Sequence, residues 1–191
     1  GSLGAVGSDT TTTFTIRATS PEDATTARQF KITQKPPVIT SFTSSGTFSV
    51  PSGLTAVNVL LVAGGGGTGG RHAGGGGAGG LIYRPLHPIT AGTPLSVTVG
   101  NGGSAGNNNP GGDSVFSNLT AKGGGGGDNG SQGQPGGSGA GGGHSQKNGG
   151  NATQPGQPGD SGTYGFGHAG GTGFYTNPPT GAQGGGGGGA G

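Results

Sequence analysis

Glycine recurs at every third position over long stretches, and this period constrains the fold more than any other feature of the chain. The period runs from Gly124 to Gly142 and from Gly156 to Gly165, and it returns from Gly64 to Gly79 with Ala73 in place of one glycine. A period of three fits neither the α-helix nor the β-strand. It fits the polyproline-II helix, which has three residues per turn and no internal hydrogen bonds. Bare backbone edges of such helices can pair with one another. The pattern therefore predicts stacked polyglycine-II helices, and the alternative is a flexible glycine-rich linker.

Composition limits the size of a hydrophobic core. The chain has 191 residues, of which 55 are Gly, while hydrophobic residues make up 25% and charged residues 7%. Glycine becomes dominant at the Ala63/Gly64 step, so a side-chain core is expected only within residues 14–120. The net charge is +2, the basic residues do not form a stripe, and no long apolar run occurs. We therefore expect neither nucleic-acid binding nor membrane insertion.

The N-terminal part has the pattern of a β-hairpin. Phe14 and Ile16 alternate with polar residues, Phe30 and Ile32 do the same, and Ser20–Asp23 has turn composition. This segment resembles the last two strands of bacterial immunoglobulin-like or cadherin-like repeats, which implies that the chain begins inside a longer modular protein. We predict one region over residues 1–37, a flexible lead-in and hairpin, and a second over 38–191.

The next region predicts a small β domain. Short apolar segments are separated by turn residues, and we expect strands at Thr47–Val50, Val57–Ala63, Leu95–Val99 and Val115–Phe116. Val57–Ala63 is almost wholly apolar, which predicts burial on both faces. The glycine run 64–80 leaves this strand and returns to Leu81, so it is an excursion from the β domain. The expected fold class is all-β: a small β-sandwich-like domain with stacked polyglycine-II helices and essentially no α-helix.

The lengths of the glycine runs predict long legs. At ~3.1 Å per residue, the run 124–142 would span about 60 Å and the run 64–80 about 50 Å. The glycine phase breaks at His144–Asn148 and again at Phe174–Thr180. We therefore expect antiparallel legs that turn at these breaks.

A family resemblance rests on three segments. The string SGTFSVPSGLTAVNVLLVAGGGGTGG at 45–70, with GGDSVF at 111–116 and LTAKGGGGG at 119–127, resembles a glycine-rich domain of phage tail-fibre and other virion proteins. The long glycine legs also resemble the polyglycine-helix adhesins of T-even-type phages. Those resemblances imply a rigid scaffold whose end loops bind a receptor on the host, and a virion or extracellular location.

Motifs for catalysis or metal binding are lacking in the sequence. A glycosidase-like carboxylate pair would require two of the scattered aspartates to converge: Asp113, Asp128 and Asp160. The histidines share no ligand spacing of the H-x-x-x-H type: His72, His87, His144 and His168. We therefore expect no enzymatic activity, no cofactor and no metal site.

One cluster of large side chains lies in a stretch that otherwise lacks them, and it is the candidate receptor-binding set: Tyr164, Phe166, His168, Phe174, Tyr175 and Asn177. Aromatic faces stack on sugar rings or insert into apolar protein surfaces, and Asn and His give directional hydrogen bonds. The alternative is that these rings fill gaps between glycine helices. The composition of Thr176–Pro179 is typical of a loop tip and favours binding there.

The sequence thus predicts a non-enzymatic component of a phage tail fibre or virion tip that contributes to binding of a host cell-surface protein or glycan. A homo-oligomer, with a trimer favoured, and other virion proteins are the expected partners. A purely structural filament or capsid-decoration subunit is the alternative. An ice-binding protein is a third class, because springtail antifreeze proteins also stack polyglycine helices, but the irregular Gln, Asp, Asn and Pro of these legs do not form a regular flat face.

Overall fold

The computed structural model describes residues 8–22, 25–154, 166–175 and 181–190. Within those residues the chain is all-β and has no helix, as predicted. The strands are β1 (Thr10–Thr19), β2 (Thr25–Gln34), β3 (Gly46–Ser49), β4 (Ala56–Val62), β5 (Leu81–Pro88), β6 (Pro94–Thr98), β7 (Ser114–Phe116), β8 (Leu119–Ala121), β9 (Phe174–Tyr175) and β10 (Ala182–Gln183). The chain divides into two compact units, Gly1–Ser41 and Phe42–Gly191. That the first unit is the end of an immunoglobulin-like repeat stays a prediction.

The first unit is an antiparallel hairpin with two chemically different faces. β1 pairs with β2 from Thr10↔Gln34 to Thr19↔Thr25. Because side chains alternate between faces, Phe14 and Ile16 share one face with Phe30, and the rings of Phe14 and Phe30 stack with centroids 5.5 Å apart. The opposite face is rich in threonine. All described residues of β1 are exposed, so within this unit nothing covers the apolar face.

The second unit begins with two small sheets that pack on each other. One has the strand order β3-β6-β7-β8, and the other consists of β4 and β5. Apolar side chains from both sheets meet between them and form the buried core: Leu61, Ala63, Ile82, Val97, Phe116, Leu119 and Ala121. Ile82 and Leu119 are fully buried. We call these two sheets the base of the unit.

The prediction that Val57–Ala63 is buried on both faces is wrong. Leu60 and Val62 are 65% and 52% exposed, whereas Leu61 between them is 7% exposed. The reason is that β4 belongs to a two-stranded sheet, one face of which packs on the larger sheet while the other faces solvent. The excursion of 64–80 from β4 to β5 is confirmed, because these strands pair antiparallel.

The glycine-rich segments form extended legs that hydrogen-bond to one another. We number them in chain order as legs 1 to 10: 63–68, 73–80, 99–104, 109–113, 122–128, 131–136, 138–143, 147–153, 166–173 and 184–190. No leg residue has φ in the left-handed region. In leg 2, the N–H groups of Gly74, Gly77 and Gly80 all donate to leg 5, whereas those of Gly75 and Ala78 donate to leg 10. A repeat of three residues per direction is the geometry of a polyproline-II-like helix.

Leg 7 lies at the centre of this bundle. Its six successive N–H groups, from Ser138 to Gly143, donate in turn to legs 2, 9, 6, 2, 9 and 6, over 2.8–2.9 Å. Its carbonyls accept from legs 5, 10 and 8. All residues from 136 to 143 are buried. The interior of the bundle is therefore made of paired backbone, in which the buried N–H and C=O groups find their partners on other legs.

The leg lengths predicted from the sequence are wrong. The run 64–80 doubles back, because Gly66 N donates to Gly77 O and Ala63 N donates to Gly80 O. The run 124–142 divides into legs 5, 6 and 7. Each leg holds five to eight residues, which is roughly 15–25 Å at the polyproline-II rise. Short stretches with larger or polar side chains, such as Arg71–His72 and Asp128–Gly130, supply the turns. The predicted break at His144–Asn148 does coincide with a turn between legs 7 and 8.

Close backbone contacts explain the unbroken glycine run of leg 5. A Cβ atom built on any residue from Gly123 to Gly127 would lie between 1.9 and 2.5 Å from a backbone atom of another leg. Real Cβ contacts do not come that close, so each of these positions accepts glycine alone. Other legs lie close to leg 5 on all of its sides. Every position from Gly123 to Gly127 must therefore be glycine, and not only every third one.

Candidate functional site

Four of the turns between legs lie at the end of the bundle away from the base, whereas legs 6 and 7 are joined at the base end, where Gly137 N donates to Gly123 O. We call the end away from the base the tip and define it by the turns 69–72, 105–108, 129–130 and 144–146 together with the β9–β10 pair. Legs 1, 2 and 5 adjoin β4, β5 and β8 at the base, so their other ends lie at the tip. The β9–β10 pair is tied to the tip, because the Nδ1 atom of His72 lies 2.9 Å from the carbonyl oxygen of Ala182.

The structure places two of the predicted binding residues together at the tip. Phe174 and Tyr175 form β9 and pair with Gln183 and Ala182 of β10. Phe174 is 54% exposed and Tyr175 is 44% exposed. Neighbouring strand residues point to opposite faces, so the two rings offer apolar surface on both sides of this short pair.

The other members of the predicted set do not join them. Phe166 lies at the base end of leg 9, where its carbonyl accepts a hydrogen bond from Leu81 N at 3.3 Å. Leg 9 separates Phe166 from Phe174 by about 25 Å along the polyproline-II rise. His168 lies exposed along the same leg, and its carbonyl accepts from Gly139 N in leg 7. Tyr164 and Asn177 lie outside the described residues.

A buried carboxylate organises one of the tip turns. Asp128 is 7% exposed. Its Oδ2 atom accepts from Asn108 Nδ2 at 2.7 Å, and its Oδ1 atom accepts from the backbone N–H of Asn129. Burial alone would raise the pKa of Asp128, but hydrogen bonds from Asn108 and Ser131 and from the N–H groups after the aspartate outweigh it and lower the pKa. The carboxylate thus stays ionised and joins turn 105–108 to turn 129–130.

Two histidines that the sequence gives no reason to associate meet at the tip. His72 and His144 have ring centroids 5.6 Å apart. The backbone N–H of His144 donates to the carbonyl of His72 at 3.1 Å. The Nδ1 atom of His144 also makes a short contact with the carbonyl oxygen of Asn129. Each histidine interrupts a glycine run, and that interruption is the sequence signal which could have placed both at a turn and hence at one end of the bundle.

Among the described residues, six non-glycine residues have left-handed backbone: four lie at the tip, and Leu86 and Ser117 lie at the base. The four in the tip turns are His72 (φ 57°), Asn108 (φ 59°), Ser145 (φ 68°) and Gln146 (φ 59°). An L-residue other than glycine pays roughly 1–2 kcal/mol for this conformation, less for Asn. In a chain so rich in glycine, these turns nevertheless carry side chains.

Carboxylates do not pair at either end of the bundle among the described residues. Asp113 lies at the base, where Lys122 Nζ is 2.7 Å from its Oδ2 and Gly123 N donates to its Oδ1 at 2.8 Å. Burial would raise the pKa of Asp113, but these contacts outweigh it and lower the pKa. Asp128 lies at the other end of leg 5, and Asp160 is outside the described residues. In the part of the chain that the structure describes, no three metal-ligating side chains converge and no helix is long and apolar enough to cross a bilayer.

The comparison with protein families gives one match. The family of glycine-rich domains matches residues 40–191, which span the base sheets and the glycine legs but leave out the hairpin. The chain belongs to this family. No curated protein and no solved structure matches the chain. The match thus covers both the base sheets and the glycine legs of this chain, and we refer to Phe42–Gly191 as the glycine-rich domain.

Proposed function

We propose that the protein is a non-enzymatic structural component of a phage tail fibre or virion tip, and that the tip of its glycine-rich domain binds a protein or glycan on the host cell surface. The observation that carries the proposal is the left-handed backbone of non-glycine residues in the tip turns. Side chains occupy left-handed positions there at which glycine would be less strained. Strain of this kind concentrates at sites where the side chain serves a purpose.

The bundle suits the role of a rigid support. Leg 7 is hydrogen-bonded on every side, and its residues are buried. A loop that binds a partner loses less entropy when the scaffold already holds it in place. Short legs with several turns at one end place loop residues on a rigid frame, which is the arrangement that binding proteins commonly use.

The exposed aromatics supply the contact chemistry. Phe174 and Tyr175 offer ring faces for a sugar or an apolar protein patch, and Tyr, like Trp and Arg, is enriched among residues that dominate binding energies. The other turns of the tip carry exposed polar side chains, including Arg71 and Gln146. An aromatic centre with a polar rim is the usual anatomy of a recognition surface.

Self-association through leg 10 is part of the proposal. A Cβ atom built on Gly186 or on Gly189 would meet no atom within 4 Å, in contrast to the interior glycines. Within the described residues, packing does not explain why Gly186 and Gly189 lack side chains. We propose that a glycine leg of a second copy lies against this side of leg 10, and a trimer is the assembly we expect. Light scattering on the intact chain would show a single mass of three chains, and a monomer at micromolar concentration would contradict this.

Binding to whole cells tests the receptor role. The fluorescently labelled chain is incubated with a panel of bacterial strains, and the double variant Phe174→Ser/Tyr175→Ser is compared with Leu60→Ser/Val62→Ser. The control pair is also exposed and apolar but lies in β4 at the base. We expect the tip variant to bind at least tenfold more weakly to a strain that the native chain recognises, and the control to bind normally. Equal losses in both variants would contradict a binding role for β9.

The purely structural alternative predicts a different outcome of the same experiment. A filament or capsid-decoration subunit would bind none of the strains, yet would still assemble with itself. An ice-binding protein would show thermal hysteresis, which the cell-binding chain should lack.

A further inference from the structure

We infer that His72 and His144 form a binding site for a single divalent transition-metal ion of the zinc class at the tip. The two residues lie 72 positions apart in sequence and are brought together by the turns after legs 1 and 7. Their ring centroids are 5.6 Å apart and their planes are tilted by 55°. Two imidazoles that share one tetrahedral ion, with metal–nitrogen bonds of ~2.0–2.1 Å, have centroids roughly 5–5.5 Å apart. The centroid separation of the pair is therefore close to the one that two ligands of a single ion require.

Hydrogen bonding fixes which ring nitrogen is available. The Nδ1 atom of His72 contacts the carbonyl oxygen of Ala182, and the Nδ1 atom of His144 contacts the carbonyl oxygen of Asn129. A carbonyl oxygen can only accept, so Nδ1 carries the proton in both rings. In the neutral imidazole, Nε2 is then left with a free lone pair. Within the described residues, neither Nε2 has a hydrogen-bond partner.

This arrangement is the one that metal-ligating histidines adopt. Such residues almost always donate the second ring N–H to a carbonyl or carboxylate, which fixes the tautomer and orients the ring. Here both rings have that support before any ion is bound. Zinc, nickel and copper favour imidazole nitrogen, whereas magnesium and calcium favour oxygen. Two nitrogens leave the remaining coordination positions open to water or to an oxygen ligand from outside.

The ion would hold several parts of the tip together. His72 belongs to turn 69–72 and His144 to turn 144–146, while their Nδ1 atoms contact β10 and turn 129–130. One bound ion thus joins four chain segments, one of which, β10, pairs with the strand that carries Phe174 and Tyr175. We expect the metal to reduce the mobility of the tip without altering the bundle.

Zinc titration of the intact chain tests the site. The decisive variants are His72→Asn and His144→Asn, because the Asn amide can still donate to the carbonyl that Nδ1 contacts while the Nε2 ligand is removed. His168→Asn is the matched control, since His168 is exposed and lies on leg 9. By calorimetry we expect one Zn²⁺ per native chain, the same for His168→Asn, and at least tenfold weaker binding for either tip variant. Equal affinities in all four proteins would overturn the assignment, as would no binding to the native chain.

A second measurement needs no variant. In ¹H–¹⁵N spectra of the imidazoles, Zn²⁺ should shift the Nε2 resonances of His72 and His144 together with one saturation curve, while Mg²⁺ leaves them unchanged. A shift confined to one of the two rings, or shared with His168, would contradict a two-histidine site.

Discussion

In the sheets at the base, side chains fill the space between backbones, whereas in the bundle the backbones themselves touch. The base buries the side chains of Ile82 and Leu119 completely, and they pack closely as in other hydrophobic cores. The bundle buries leg 7 just as fully, but with hydrogen bonds on every side and hardly any side chains. Glycine is needed in the bundle because it has no Cβ atom: at most interior positions a Cβ atom would overlap a carbonyl of the next leg.

The bundle should be most sensitive to atoms that are added, and the base to atoms that are removed. The largest effect is expected for Gly133→Val in leg 6. The new Cβ would lie 2.0 Å from the carbonyl oxygen of Ala140, so leg 6 would have to leave leg 7. We expect a loss in free energy of unfolding of more than about 4 kcal/mol, measured by denaturant titration.

The adjacent residue supplies the control. Gln132 is exposed, and Gln132→Val should change the free energy of unfolding by less than about 0.5 kcal/mol. Similar losses for both variants would mean that backbone contact does not determine where glycine is needed.

At the base the expected damage comes from removing atoms. Ile82→Ala should lower the free energy of unfolding by about 2–5 kcal/mol, because the truncated side chain leaves a cavity between the two sheets. Leu60→Ala on the exposed face of β4 should have little effect in the same denaturant experiment. If Ile82→Ala were neutral, the core between the sheets would not contribute to the stability of the domain.

A smaller effect, dependent on pH, should arise at the base. His87 is 4% exposed and packs against the ring of Phe116, and its Nε2 atom has no hydrogen-bond partner among the residues that the structure describes. Burial lowers the pKa of His87 below 6.5, and the positive charge of Arg84 lowers it further. As pH falls below 6.5, the unfolded chain takes up a proton that the folded chain does not. Stability should therefore decline from there until the folded-state pKa is reached.

His87→Leu isolates that contribution. The decline between neutral pH and pH 5, followed by the urea midpoint, should be shallower in the variant than in the native chain. A native chain whose midpoint rises as pH falls through this range would contradict the burial of a neutral His87.

Much of this architecture was accessible from the sequence, because each region has a local signature. Alternating Phe14 and Ile16 predicted the hairpin, and the phase of glycine predicted polyglycine-II legs. The length of the legs cannot be predicted from the sequence, because the reversal of the chain at Arg71–His72 and at Asp128–Gly130 depends on which legs find hydrogen-bond partners. The exposed face of β4 was missed for a similar reason: an apolar run does not say how many strands cover it.

Composition singles out Phe174 and Tyr175, and the structure places both at the tip; that they bind a receptor stays a prediction. Proximity in sequence also groups Phe166 with them, but leg 9 places Phe166 at the base. The His72–His144 pair was missed, since ligand spacing in sequence describes helices and tight loops and not neighbours in a bundle of legs.

Amide hydrogen exchange of leg 7 tests most directly whether the glycine legs form a packed, hydrogen-bonded interior. The N–H groups of residues 138–143 each donate to another leg and are buried. They should exchange only by unfolding of the domain, as slowly as the core amides of Ile82 and Val97 at the base. Exchange at the rates of an unfolded chain throughout 138–143, while the base stays protected, would contradict the account and leave the glycine segments as flexible linkers.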